Sequence, residues 1–248
     1  MDINDIIYYA LSALAVLIII PLHEFAHAYA AYKMGDDTAK NMGRLSLNPI
    51  RHFDPLGAVC MVFLRFGWAK PVPINPRNFK NPKKGFAITA LAGPLSNLLM
   101  AFFSSFVYLL LYAIFRRMIF PSEFLLALAQ NTLLFFLIFH LINLSLALFN
   151  LIPVPPLDGS RILSVILPPK TYFGLMKYER QIYYGLILWL IGGPFISKAL
   201  LSVPLIAASP VLRAIAWCFS LSNILGTLAT LLSSAFMRFW ELIPFLRT

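Results

Sequence analysis

Five stretches of the chain run the length of a bilayer crossing with almost no charge: residues 6–33, 86–115, 124–149, 181–203 and 214–237. At a helical rise of about 1.5 Å per residue, each can cross a hydrocarbon core about 30 Å thick. The pattern predicts a polytopic α-helical membrane protein of about five to six spans. The second and fifth stretches contain no charged residue, the third only His140, and the fourth holds Lys198 near its end, where it can snorkel. Gly192, Gly193 and Pro194 threaten to break the fourth, and the piece with Pro204 and Pro210 could dip in and out as a re-entrant segment.

Between the first two spans the pattern changes. Polar and apolar residues alternate over Arg44–Leu47, and Trp68-Ala69-Lys70-Pro71-Val72-Pro73-Ile74-Asn75 is bounded by Pro and Asn. Both read as short strands of a small membrane-associated β-hairpin or sheet within a β-rich segment 35–85. Pro71 and Pro73 remove two N–H groups from one side of the second, making it an edge strand. The opposite edge keeps the donors of Lys70, Val72 and Ile74, which are expected to line a substrate cleft by strand addition.

Composition narrows the class. Of 248 residues 60% are hydrophobic and 12% charged, against about 25% charged in soluble domains; mean hydropathy is +0.78. A soluble enzyme and a disordered chain are both excluded, and a single membrane domain, 1–248, is expected. The formal charge is +10. With the N-terminus outside, 16 of the 20 Lys and Arg fall on the cytoplasmic side, which the positive-inside rule favours. That accounts for the basic balance through lipid and topology, and no nucleic-acid partner is expected. Asp2 and Asp5 stand where a signal peptide would be basic, so the first span is expected to be retained. Cys60 and Cys218 have no ligand-like spacing and read as free thiols.

The chemistry sits where charge is scarcest. Inside the first span, His23-Glu24-Phe25-Ala26-His27 places two imidazoles at i and i+4 on one helix face, with a carboxylate beside them. That spacing suits two zinc ligands and a general base, Glu24. Left unpaired in a span, such groups would penalise insertion by roughly 2.5–3.5 kcal/mol for a single charge. Candidates for the third ligand include His52, His140, Asp54 and Asp158. Asp158 is favoured because it closes Asn150-Leu151-Ile152-Pro153-Val154-Pro155-Pro156-Leu157-Asp158-Gly159, whose prolines prevent regular helix where the third span returns to the cytoplasmic side. Thr89, Gly93 and Asn97 form a small, polar stripe of the kind that marks helix packing in membranes. His140 reads as a structural histidine, His52 as a loop or interface residue, and Arg161 as a capping or snorkelling residue.

His23 to His27, Gly93-Pro94-Leu95-Ser96-Asn97 and Asn150 to Gly159 together resemble the three signature motifs of the site-2 protease family of intramembrane zinc metalloproteases, in the family's order. The resemblance implies a three-helix catalytic core within residues 1–168, followed by C-terminal membrane helices 169–248. It implies one zinc ion held by His23, His27 and Asp158, and Glu24 as catalytic residue. Asn97 and Asn150 would border the substrate cleft. The implied activity is regulated intramembrane proteolysis of transmembrane proteins, in a minimal form without PDZ or CBS domain, in the cell membrane with the active site toward the cytoplasm. A non-proteolytic homologue that binds membrane proteins and a metal transporter are the alternatives.

Overall fold

The computed structural model describes residues 2–54 and 70–247. Among the described residues, four helices are long and apolar enough to cross a membrane: α1 (Ile3–Lys33), then, after the short helices α2 (Thr38–Asn41) and α3 (Pro49–His52), α4 (Pro82–Phe115), α5 (Glu123–Asn150) and, further on, α8 (Glu179–Leu201). Their large apolar side chains, such as Leu14, Leu99, Phe103 and Leu188, are widely exposed. A surface of this kind needs an apolar solvent.

Local sequence sets the ends of these helices. Asp2 and Asp5 close a capping box at the start of α1. Asn81 and Ser122 cap α4 and α5 by accepting from the backbone of Lys84 and Leu125, and Pro82 occupies the first position of α4, where its missing N–H costs nothing.

α4 is the hub and packs against α1, α5 and α6 (Asp158–Ile166). Buried residues close the contacts among these long helices: Ala15 and Ile19 of α1 pack with Ile138 of α5, and Ala101 of α4 packs with Leu144 of α5. Beyond α6 come α7 (Pro169–Met176), α8, and the short helices α9 (Pro204–Ala208) and α10 (Pro210–Cys218), then α11 (Leu221–Trp240).

One expectation about the long stretches is corrected. The fifth stretch, 214–237, is not one straight span: α10 and α11 meet at a 98° bend around Phe219 and Ser220. The fourth stretch is one helix, as expected, and α8 runs through Gly192, Gly193 and Pro194 without a break. Trp189 of α8 donates its indole N–H to the Phe219 carbonyl at the bend (2.7 Å), and a Cβ at Gly193 would lie 2.5 Å from that same oxygen. Gly193 therefore lets α8 seat against the bend.

The expected β-hairpin is absent as well: among the described residues there is no strand. Arg44–Leu47 and Lys70–Asn75 have no ladder, and Trp68 and Ala69 lie outside the described residues. The backbone groups of 70–75 pair elsewhere. The Lys70 N–H donates to the His52 carbonyl (3.0 Å), the Val72 N–H to a Glu24 carboxylate oxygen (3.0 Å) and the Asn75 N–H to Asp36 (2.7 Å), while Arg44 donates to the carbonyls of Lys70 and Pro71. Side chains have replaced the partner strand, so alternation in sequence did not become a ladder. The donors of Lys70 and Val72 accordingly are not an open edge for strand addition.

Candidate metal centre

α1 carries His23 and His27 on its buried face, with ring centroids 4.6 Å apart and nearly perpendicular planes. α5 ends at Asn150, the prolines carry the chain through a turn, and α6 begins at Asp158. Gly159 makes that junction possible, since a Cβ there would lie 2.4 Å from the carbonyl oxygens of Leu151 and Ile152. Asp158 Oδ2 thereby comes to 3.4 Å from His23 Nε2 and 3.2 Å from His27 Nε2.

The outer ring nitrogens fix which atoms remain. His27 Nδ1 faces the Thr89 carbonyl at 2.7 Å, an acceptor only, so Nδ1 carries the proton and Nε2 a lone pair. His23 Nδ1 lies 2.5 Å from Asn97 Oδ1. Asn97 passes its amide N–H to Asn143 Oδ1 (2.8 Å), and Asn143 donates to the Phe139 carbonyl (2.8 Å), which orients the whole chain of groups with Asn97 Oδ1 as acceptor. Two imidazole lone pairs thus face each other at 3.0 Å, beside a buried carboxylate oxygen that has no hydrogen-bond donor. That is an unfavourable set of atoms by itself and a suitable one around a cation. The three ligand atoms lie within 4.8 Å of one another, and among the described residues this is the one such cluster found. Donor set and spacing fit a divalent metal with N and O ligands.

The Gly-Pro-x-x-Asn motif now has a physical reading. A Cβ on Gly93 would lie 2.3 Å from His27 Nε2 and 2.6 Å from His23 Cε1. Gly93 opens the space for the imidazoles, while Thr89 and Asn97, one turn to either side, anchor them. The stripe Thr89-Gly93-Asn97 is thus neither plain packing nor a cleft wall. Asn97 is fully buried behind His23 and corrects the expectation that it lines the cleft.

A pocket of about 450 Å³ opens onto the cluster, lined among others by Glu24, Val72, Ile74, Asn150 and Arg161. Of the residues expected along a cleft, Val72, Ile74 and Asn150 line this pocket, whereas the exposed Lys70 is not among its walls. Asn150 spends one amide N–H on the Leu146 carbonyl (3.1 Å). Arg161 does more than cap or snorkel. It pairs with Glu179 of α8 at 2.9 Å, and its guanidinium lies over Phe86 at 5.5 Å. Its place in the pocket was readable from its spacing, three residues after Asp158 on the same helix face.

His52 and His140 are not ligands. His52 faces the Ser46 carbonyl at 2.7 Å, and His140 is buried between the Ala101 carbonyl and the Ser233 hydroxyl. Cys218 is a free thiol, while Cys60 lies outside the described residues.

Comparison with known proteins agrees with this geometry. The model of peptidase family M50 matches residues 11–192, most of the chain. The chain belongs to peptidase family M50. This is the site-2 protease family that the three motifs resemble. Among M50 relatives, YwhC of Bacillus subtilis (strain 168) is 43% identical over 190 residues, covering 75% of this chain and 83% of YwhC. Rip2 of Mycobacterium tuberculosis is 28% identical over 233 residues, 91% of this chain and 79% of Rip2. Zinc metalloprotease MJ0392 of Methanocaldococcus jannaschii is 29% identical over 174 residues, 70% of this chain and 39% of MJ0392. No solved structure is a significant match. Family membership and the long apolar helices make the chain an integral membrane protein.

Proposed function

We propose that this protein is a zinc-dependent intramembrane endopeptidase that hydrolyses peptide bonds in or near the transmembrane segments of other membrane proteins. The observation that carries this reading is the convergence of His23, His27 and Asp158, beside Glu24, on a helix otherwise fit to cross a bilayer. α1 ends at Lys33, so by helical rise His27 and His23 stand about 9–15 Å inside that end. A site at that depth draws its substrate from the membrane plane. The name of MJ0392, a zinc metalloprotease, supports the choice of metal. The charge asymmetry supports an N-terminus outside the cell and an active site toward the cytoplasmic face.

His23, His27 and Asp158 would hold the ion. Zinc bound there supplies Lewis acidity for a peptide carbonyl and for an attacking water. Glu24 takes the proton from that water and returns it to the departing amine. The Val72 N–H holds one Glu24 oxygen, leaving the other for proton transfer. Asn150 has a second amide N–H to offer to the substrate carbonyl, and Val72 and Ile74 supply apolar wall for an unwound segment.

The test is co-expression with single-span membrane proteins, comparing wild type and Glu24→Gln by fragment mass and metal content. Fragments are expected from wild type alone, with about one zinc per chain in both. Cleavage that persists in Glu24→Gln would sink the reading.

A further inference from the structure

The mechanism gives Glu24 its chemistry but leaves open what holds it. Among the described residues, the donor to its carboxylate is the backbone N–H of Val72, 48 residues away in a stretch with no secondary structure. A lone backbone donor in such a segment can orient a carboxylate only if the segment is itself fixed.

It is fixed chiefly by Asp36. α1 ends in a glycine turn: Gly35 sits at φ +106°, and the Asp36 N–H donates back to the Ala31 carbonyl at 2.9 Å. Asp36 is thus placed rigidly at the end of the helix that carries Glu24. Its carboxylate is fully buried and accepts four hydrogen bonds: from the Thr38 N–H (3.1 Å) and hydroxyl (2.5 Å), the Asn75 N–H (2.7 Å) and the Asn78 amide (2.7 Å). Two of these reach across to the segment that presents Val72, three residues before Asn75. At the other end, the His52 carbonyl accepts from Lys70, and Arg44 donates to the carbonyls of Lys70 and Pro71. Val72 hangs between these anchors. Pro71 and Pro73, on either side of it, hold φ near −65° and remove competing donors.

We propose that Asp36 is a positioning residue for the general base: it clamps the Lys70–Asn78 segment to the end of α1 so that the Val72 N–H orients the Glu24 carboxylate. The assignment rests on the protease reading for its kinetic consequence, while the clamp itself is a structural claim that stands or falls separately. An Asn at position 36 keeps the shape but turns one acceptor oxygen into an NH2 group, so it cannot satisfy the same four donors.

The test uses full-length protein in detergent with two arms. In the first, hydrogen–deuterium exchange is followed on the 70–78 peptide. Asp36→Asn is expected to speed its exchange at least about 10-fold, and Glu24→Ala to release the Val72 amide alone. If both leave the peptide protected as in wild type, the clamp is wrong, whether or not the protein cleaves anything. In the second arm, a single-span reporter is cleaved under saturating and limiting conditions. Asp36→Asn is expected to lower kcat by about 10- to 100-fold, the scale of a misplaced group, with KM and bound zinc unchanged. Val72→Pro, which deletes the N–H, should cost more than Val72→Ala, which keeps it. Combining Asp36→Asn with Val72→Pro should add nothing, because Asp36 acts through that N–H. A loss of zinc in Asp36→Asn, equal losses for both Val72 variants, or simple additivity would overturn the proposal. Should Asp36→Asn fail to fold, Asn78→Leu removes one of its four donors and is read in the same way. Failure of wild type to cut any reporter would refute the protease reading and leave the exchange arm to decide the clamp.

Discussion

At the residue scale, two positions of α4 shape and orient the His23–His27 pair. Gly93→Ala is favourable for helix α4 by about 1 kcal/mol of propensity, yet its Cβ would lie within 2.6 Å of both imidazoles. It is expected to retain helix content and lose most bound zinc, read by circular dichroism and metal analysis on one sample. Asn97→Leu removes the acceptor from His23 Nδ1 and leaves the Asn143 amide oxygen unpaired. Loss of such an outer partner typically weakens metal affinity about 10- to 100-fold, and a competition titration with a chelator measures it. Sequence could name the histidines because i, i+4 spacing is a property of one helix. It could not tell what Asn97 does, because that depends on which face of α4 meets α1.

At the element scale, the segment 70–78 is where reading by pattern failed. Alternation and prolines gave an extended chain, which it is, and then a sheet, which it is not. The decisive groups, Glu24, Asp36, Arg44 and His52, come from four other places in sequence, and no local rule brings them together. A pH dependence follows. Burial pushes the Asp36 carboxyl up, but hydrogen bonds from Thr38, Asn75 and Asn78 outweigh it and hold it below its usual 3.8. A depressed folded value stabilises the clamp above the unfolded value, and that contribution is lost as pH falls through the folded one. Exchange protection of 70–78 is therefore expected to persist on acidification to about pH 4 and to fade only below it; fading between pH 7 and 5 would contradict this. α8 provides a second case. Gly193→Ala would drive a Cβ to 2.5 Å from the Phe219 carbonyl, and overpacking of that kind costs about 1–3 kcal/mol. A matching fall in detergent-denaturation stability is expected, with no change in bound zinc.

For the whole molecule, the candidate ligands come from α1 and α6, which α4 holds together. Metal bound to such a site stabilises the folded chain over the unfolded one. Stripping zinc with a chelator is expected to lower the thermal midpoint in detergent and to abolish cleavage, and returning zinc should restore both. In His27→Ala the midpoint should no longer respond to either treatment. Arg161 and Glu179 join the core to the C-terminal helices, but both are partly exposed, with side chains 30% and 35% accessible. Exposed pairs contribute about 0–1 kcal/mol, so Arg161→Ala should shift the midpoint little.

The sequence by itself determined the membrane class and the extent of the first three long helices, and it singled out His23, Glu24, His27, Asp158 and Asn150 as candidates, because hydrophobic runs and helical spacing are local properties of a chain. Tertiary structure alone decided the rest. It bent the fifth stretch and carried α8 through its glycines, since both depend on one helix seating against another. It assigned Thr89, Gly93 and Asn97 to the imidazoles and turned an expected strand into a support for Glu24. In each case a buried polar group had to find a partner, and that partner lay far along the chain.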